Sequence, residues 1–238
     1  GEPALEFPRE TERFYPQGSM AAHVLGFVGA DGRGHVGMEQ VFDKRLTDPA
    51  TRGTPAVLSI DTRVQGALED ELSRGMALSN AKGAAGIVLD VETGEVIALA
   101  SLPSFNPNLI DRTGESFIFN RVTNQVYELG STFKPLTIAA ALDAGVVPNL
   151  GRRYQSARPI SIGGFQIRDS HALGASLNVP ESLMHSSNIV TAEIADEVGG
   201  ERLNATMRAL GMDRRAEIEL PAKGFPLWPK GNWSRITT

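Results

Sequence analysis

At 238 residues, with 41% hydrophobic and 21% charged content, the chain has the balance of an ordinary globular protein, which argues against disordered, collagen-like and coiled-coil classes. A net charge of −5 without a run of five like charges argues against a nucleic-acid partner, and the lack of cysteine rules out disulfides, thiolate metal sites and a cysteine nucleophile. No stretch has the 18 or more apolar residues of a membrane span, the longest candidate, LTIAAALDAGVV, being broken by Asp143; a segment ahead of Gly1 could carry a targeting signal or anchor.

Residues 1–56 combine Gly, Pro and charge with short apolar pieces such as AAHVLGFVG, and read as short strands and loops of an accessory region. DPATRGTP (48–55) has linker chemistry and marks the expected domain boundary, giving an N-terminal region over 1–56 and a main domain over 57–238. LSID then reads as a short strand. Thr62 with Gln65 predicts a capping box, and Val64, Leu68, Leu72 and Met76 line one face of a helix over 62–78. AAGIVLDV and EVIALAS around Glu92-Thr93-Gly94 predict a hairpin, followed by the Pro- and Asn-rich loop SLPSFNPN.

Residues 131–144 predict a helix stopped by Gly145, whose small and aliphatic composition points to burial on most sides. PISIGGFQI (159–167) predicts a second hairpin with Gly163-Gly164 at its tip, and helices are expected at 180–185, 188–198 and 201–210. Antiparallel strands beside a buried helical cluster make an α+β domain.

Two Ser-x-x-Lys pairs occur, so spacing alone decides nothing. Ser79-Asn80-Ala81-Lys82 falls where a helix runs out and reads as a solvated helix end. Ser131 and Lys134 sit at a helix start, where residues three apart share a face and the free N–H groups favour an alkoxide or oxyanion. Pro135 fits only near such a start. Lys134 must be neutral to serve as a base, which burial in Ala-rich surroundings promotes. Locally, a serine near a cap with a surface lysine fits equally well.

A second hydroxyl and an amide would complete the chemistry, and Ser-x-Asn occurs three times. Ser104-Phe105-Asn106 and Ser176-Leu177-Asn178 read as turn residues, whereas Ser186-Ser187-Asn188 lies between two predicted helices, a place from which side chains reach a cleft. His23, His35, His171 and His185 are scattered without metal-ligand spacing, so no metal is expected.

Gly130-Ser131-Thr132-Phe133-Lys134-Pro135 followed by Ser186-Ser187-Asn188 resembles the active-site pattern of the penicillin-binding proteins and serine β-lactamases. LSIDTRVQGALEDEL, GIVLDVETGEVIALASLPSFNPN, Asn120-Arg121, Glu128 and RFYPQGSMAAHVLGFVG with GHVGMEQVFDKRL are similar to class B penicillin-binding proteins of the division type, the penicillin-binding protein 3-like branch. The resemblance implies a penicillin-binding/β-lactamase-like transpeptidase domain, an antiparallel sheet with a helical cluster, behind part of an N-terminal pedestal. It implies a peptidoglycan D,D-transpeptidase acting in septal cell-wall synthesis, with Ser131 as nucleophile, Lys134 as its base, Ser186 as proton relay and Asn188 bonded to Lys134 or the substrate amide.

The implied partners are stem peptides ending in D-Ala-D-Ala, β-lactams, a polytopic septal glycosyltransferase and other division proteins, with no cofactor. The implied location is the periplasmic face of the bacterial inner membrane, held by an N-terminal helix. A D,D-carboxypeptidase, a β-lactamase or a non-catalytic module on the same fold are the alternatives.

Three departures from the family stand out. Leu129 replaces a proline, and the span from Leu46 to Leu58 is short. The family's Lys-Thr/Ser-Gly strand is absent, since Lys82-Gly83, Lys223-Gly224 and Lys230-Gly231 lack the hydroxyl residue, so the transpeptidase domain is expected to be incomplete at Thr238.

Overall fold

The computed structural model describes residues 12–231 and 233; positions 1–11, 232 and 234–238, the ends of both expected domains, lie outside the described residues. The chain divides into two compact units, one running to Gln125 and including Ala216–Gly224, the other taking Val126–Arg215 and the chain from Phe225 onward. The 48–55 connection, the expected boundary, is a series of turns inside the first unit.

In the first unit, residues 12–56 hold more helix than expected. Helices α1 (Ala22–Leu25), α2 (Gly37–Val41) and α3 (Asp43–Thr47) accompany the antiparallel pair β1 (Phe27–Val28) and β2 (Gly34–Val36). Helices of four or five residues are too short to show an apolar stripe in sequence. Gly26 and Gly37 make their close approach possible: a Cβ on Gly26 would lie 1.7 Å from Val36 O, and one on Gly37 2.6 Å from Gly26 N. His23 is buried with its ring bonded to Phe117 O at 2.7 Å, and burial pushes its pKa down to about 4.

Helix α4 (Thr62–Ser79) matches the expected span, but its capping differs. Asp61, not Thr62, is the N-cap and accepts from the N–H groups of Arg63 and Val64. The LSID segment is not a strand; it is tied to the following sheet by Asp61 N–H to Ile97 O and Ser59 Oγ to Val96 O. Leu68 and Leu72 of its half-buried stripe lie against Gly86, where a Cβ would meet Leu68 Cδ1 at 2.9 Å and Leu72 Cδ1 at 3.0 Å.

Gln65 is fully buried and does not close a capping box. Its amide donates to Leu99 O at 2.9 Å and accepts from Leu99 N at 2.8 Å, so one side chain satisfies both polar groups of a buried strand residue. Gln65→Ala strands both groups, and the expected loss is about 2–4 kcal/mol in urea unfolding.

The strands β3 (Ala84–Leu89) and β4 (Val96–Leu102) form the expected hairpin, with Ala84 opposite Leu102. Asp90 closes its turn by accepting from the N–H groups of Glu92 and Thr93, which holds the carboxyl below its usual pKa. A 3₁₀ segment (Pro107–Arg112) and α5 (Glu115–Ile118) follow. The core gathers Ala21, Val24 and Leu99 with Leu220 from the returning segment.

In the second unit a 3₁₀ turn (Gly130–Phe133) leads into α6 (Lys134–Asp143). Thr137, Ile138, Ala140 and Ala141 of α6 are buried while Pro135, Ala139 and Leu142 are exposed, so one side is covered, not most. The strand β5 (Arg153–Gln155) pairs with the later β8 (Ser176–Asn178), burying Tyr154 opposite Leu177. Between them β6 (Ile160–Ile162) and β7 (Phe165–Ile167) form the expected hairpin, with Gly163 and Gly164 at φ 55° and 86° as its two-residue tip requires.

Helices α7 (Val179–Met184), α8 (Asn188–Val198) and α9 (Gly200–Ala209) stand within a residue or two of expectation. Ile138 and Ala141 of α6, Val190 and Ile194 of α8, and Leu203 and Met207 of α9 share one core. That core fixes the facing ends of α6 and α8, from which the motif side chains project.

Candidate active site

Residues 130–134 do not begin as an α-helix. Gly130 takes φ 54°, and the N–H of Lys134 closes onto Ser131 O, making a 3₁₀ turn. With three residues per turn, positions i and i+3 eclipse, so Ser131 and Lys134 project from one side as directly as in the expected α-helix. Pro135, lacking an N–H, occupies the first turn of α6.

Facing this turn is the junction between α7 and α8. Ser186 N donates to Leu183 O and Ser187 N to Ser182 O, with Ser186 at φ 53°, which is a Schellman end to α7. Glycine normally fills the left-handed position, because a Cβ there costs roughly 1–2 kcal/mol. A serine in it brings its hydroxyl and carbonyl to the lysine.

Lys134 Nζ donates to Ser186 O at 2.5 Å, Ser186 Oγ at 3.0 Å and Asn188 Oδ1 at 2.7 Å. Ser186 Oγ donates to Ser131 Oγ at 2.9 Å. The four residues singled out from sequence, Ser131, Lys134, Ser186 and Asn188, are thus brought together within the second unit. Asn188 is held at both ends, since its Nδ2 donates to Arg168 O at 2.9 Å. Ser131, Ser186 and Asn188 are exposed and Lys134 is partly buried, so the group is open to a ligand.

Burial pushes the Lys134 pKa below the ordinary lysine value, and the Asp169 carboxylate pulls in the opposite direction. Three acceptors around Nζ suit the ammonium form, in which the Ser186 hydroxyl accepts from Lys134 and donates to Ser131 Oγ. Loss of one proton gives Nζ a lone pair, and the polarity of the chain can then reverse to draw a proton from Ser131 through Ser186.

Sequence reasoning missed Asp169. It accepts from Ser187 Oγ at 2.8 Å, from Asn188 N, and from Ile189 N at 3.1 Å. An aspartate in a loop after a hairpin is ordinary, and no spacing marked this one.

The competing motifs have structural roles. Ser79 Oγ returns to Gly75 O and Asn80 takes φ 51° as the C-cap of α4. Asn106 accepts from Asn108 N, and Asn178 caps α7 in a capping box with Glu181. An open groove of about 700 Å³ in the first unit, lined by Phe42, Leu58, Ile87, Val96 and Ile218 among others, contains none of the motif residues. Among the described residues no helix is long and apolar enough to cross a membrane.

Known proteins resemble this chain over nearly its whole length. The chain is 41% identical over 238 residues to the probable peptidoglycan D,D-transpeptidase FtsI of Caulobacter vibrioides, matching 100% of this chain and 40% of that protein. It is 32% identical over 257 residues to the peptidoglycan D,D-transpeptidase FtsI of Escherichia coli K12, covering 98% of this chain and 43% of that protein. The chain therefore spans about two fifths of the length of these relatives. The crystal structure of penicillin-binding protein 3 from Mycobacterium tuberculosis complexed with aztreonam superposes with a TM-score of 0.84 at 27% identity, covering 95% of this chain and 52% of that one. Residues 84–237 match the profile described as the penicillin binding protein transpeptidase domain, and with more than half its length so matched the chain belongs to that family.

Proposed function

We propose that this chain carries the acylation site of a peptidoglycan D,D-transpeptidase acting in septal cell-wall synthesis. The observation that supports it most is the hydrogen-bonded run from Lys134 Nζ through Ser186 Oγ to Ser131 Oγ, a nucleophile, a relay and a base in contact. On this reading Ser131 Oγ attacks the carbonyl carbon between the two terminal D-alanines of a stem peptide, its proton passing to neutral Lys134. The carbon–nitrogen bond then breaks, the proton returns through Ser186 to the leaving D-alanine nitrogen, and an ester on Ser131 remains. The amine of a neighbouring stem peptide attacks that ester, forms the cross-link and regenerates the serine.

Asn188, anchored by Arg168 O and Lys134, holds the lysine in place for this cycle. β-Lactams are strained acyl donors for the same serine, and relatives' structures hold aztreonam and ampicillin. The stem peptides lie outside the inner membrane, so the reading carries with it a periplasmic, membrane-held enzyme working beside a septal glycosyltransferase and other division proteins.

The test is incubation of the full-length protein with a labelled penicillin, followed by peptide mapping. A stable adduct on Ser131, lost in Ser131→Ala, is expected. Labelling elsewhere, or none, overturns the proposal; fast release of the adduct by water would mark a carboxypeptidase or β-lactamase instead.

A further inference from the structure

Asp169 lies in the loop between β7 and β8, outside every motif, yet the first turn of α8 closes on it. One oxygen takes the N–H groups of Asn188 and Ile189 and the other takes the Ser187 hydroxyl. Ser187 Oγ in turn accepts from Val190 N at 3.1 Å. Of the four N–H groups that a helix start leaves free, three are satisfied by these two side chains. Ser187 is fully buried, so no water can take the place of the carboxylate at its hydroxyl without opening the turn.

This turn carries the Asn188 side chain and, one residue ahead of the cap, the left-handed Ser186. Both meet Lys134 at hydrogen-bond distances that a displacement of about 1 Å would break. We propose that Asp169 is a positioning residue of the acylation site, whose carboxylate clamps the start of α8 and so seats Ser186 Oγ and Asn188 Oδ1 against Lys134. The proposal rests on the reading of Ser131 as the acylated serine.

The same carboxylate acts through space. Its charge favours the ammonium form of Lys134 and so opposes burial. The other ionisable groups nearby are engaged elsewhere: Arg168 turns its guanidinium to Gln166 Oε1, His171 bonds Ser170 Oγ at 2.9 Å, and His185 acts on Glu181, which also pairs with Arg153. Asp169 is therefore both a clamp and a brake on the base.

In the full-length protein, acylation of Ser131 by a fluorescent penicillin would be timed across about pH 5–10 for the native chain, Asp169→Ala and Asp169→Asn, alongside amide hydrogen exchange. In Asp169→Ala the second-order acylation constant is expected to fall about 10- to 100-fold and the amides of Asn188, Ile189 and Val190 to exchange faster. Asp169→Asn keeps an oxygen for the backbone N–H groups, so it recovers most of the rate at high pH and shifts the acid limb of the profile to lower pH. A residue that only held the fold would reduce the rate by one factor at every pH.

Unaltered rate and exchange in Asp169→Ala, or an acid limb left in place in Asp169→Asn, would overturn the proposal. Should the alanine variant unfold, the asparagine variant alone decides. If the native protein fails to label at Ser131, the functional reading falls, while exchange at residues 188–190 still decides the clamp.

Discussion

Lys134→Arg is expected to lower the rate of Ser131 acylation by at least about 10³-fold, and to remove its dependence on lysine ionisation altogether. Native Lys134 sits with its ammonium bonded to Ser186 O, Ser186 Oγ and Asn188 Oδ1, and it becomes a base only after losing a proton. Burial lowers its pKa, so the neutral form gains population as pH rises and does so at lower pH than for a free lysine, near 10.4. The acylation rate of the native protein should therefore climb with pH along a limb lying below that value. Arginine stays charged over the whole range and its planar fork cannot meet three acceptors arranged around one nitrogen. Stopped-flow acylation by a fluorescent penicillin measures both rates; an arginine variant that retained a rising limb would show that another group accepts the proton.

The separate contributions of charge and geometry at this site explain what could be read from sequence. That Ser131, Lys134, Ser186 and Asn188 come together was legible because each belongs to a local spacing at a helix end, and helix ends are set by nearby residues such as Pro135 and Gly145. The hairpins over 84–102 and 160–167 were legible for the same reason, their turns carrying Gly94 and the Gly163-Gly164 pair. Asp169 was not, since its partners are 18 to 20 residues away and only the packing of the β6–β7 hairpin beside α8 joins them. The pairing of β5 with β8 is hidden likewise: three-residue strands on either side of another hairpin leave no local signature. Gln65 shows the reverse error, a residue whose position fits a capping box but whose side chain is claimed by Leu99 across the unit. Residues 12–56 misled because their helices are only four or five residues long, and α1 and α2 meet through close approaches at Gly26 and Gly37 that leave no amphipathic pattern.

Ser186 concentrates these demands in one residue, and its replacement by glycine should move activity and stability in different directions. Its backbone, at φ 53°, ends α7 in the conformation that glycine adopts freely, while its hydroxyl joins Lys134 to Ser131. Ser186→Ala removes the hydroxyl and keeps a Cβ in the left-handed turn; Ser186→Gly removes both. Each variant is expected to lose about 10²-fold or more in acylation rate, the contribution of one positioned proton-transfer group. Yet the glycine variant should be more stable than the alanine variant by about 1 kcal/mol in urea unfolding, the cost of a Cβ at that position net of glycine's extra freedom in the unfolded chain. Equal rates with unequal stability would assign the catalytic loss to the hydroxyl and the strain to the backbone. A glycine variant that acylated faster than the alanine variant by tenfold would mean that the turn's shape, and not the relay, limits the reaction. At that position glycine would fit the backbone better, but only serine supplies the hydroxyl that bonds both Lys134 Nζ and Ser131 Oγ.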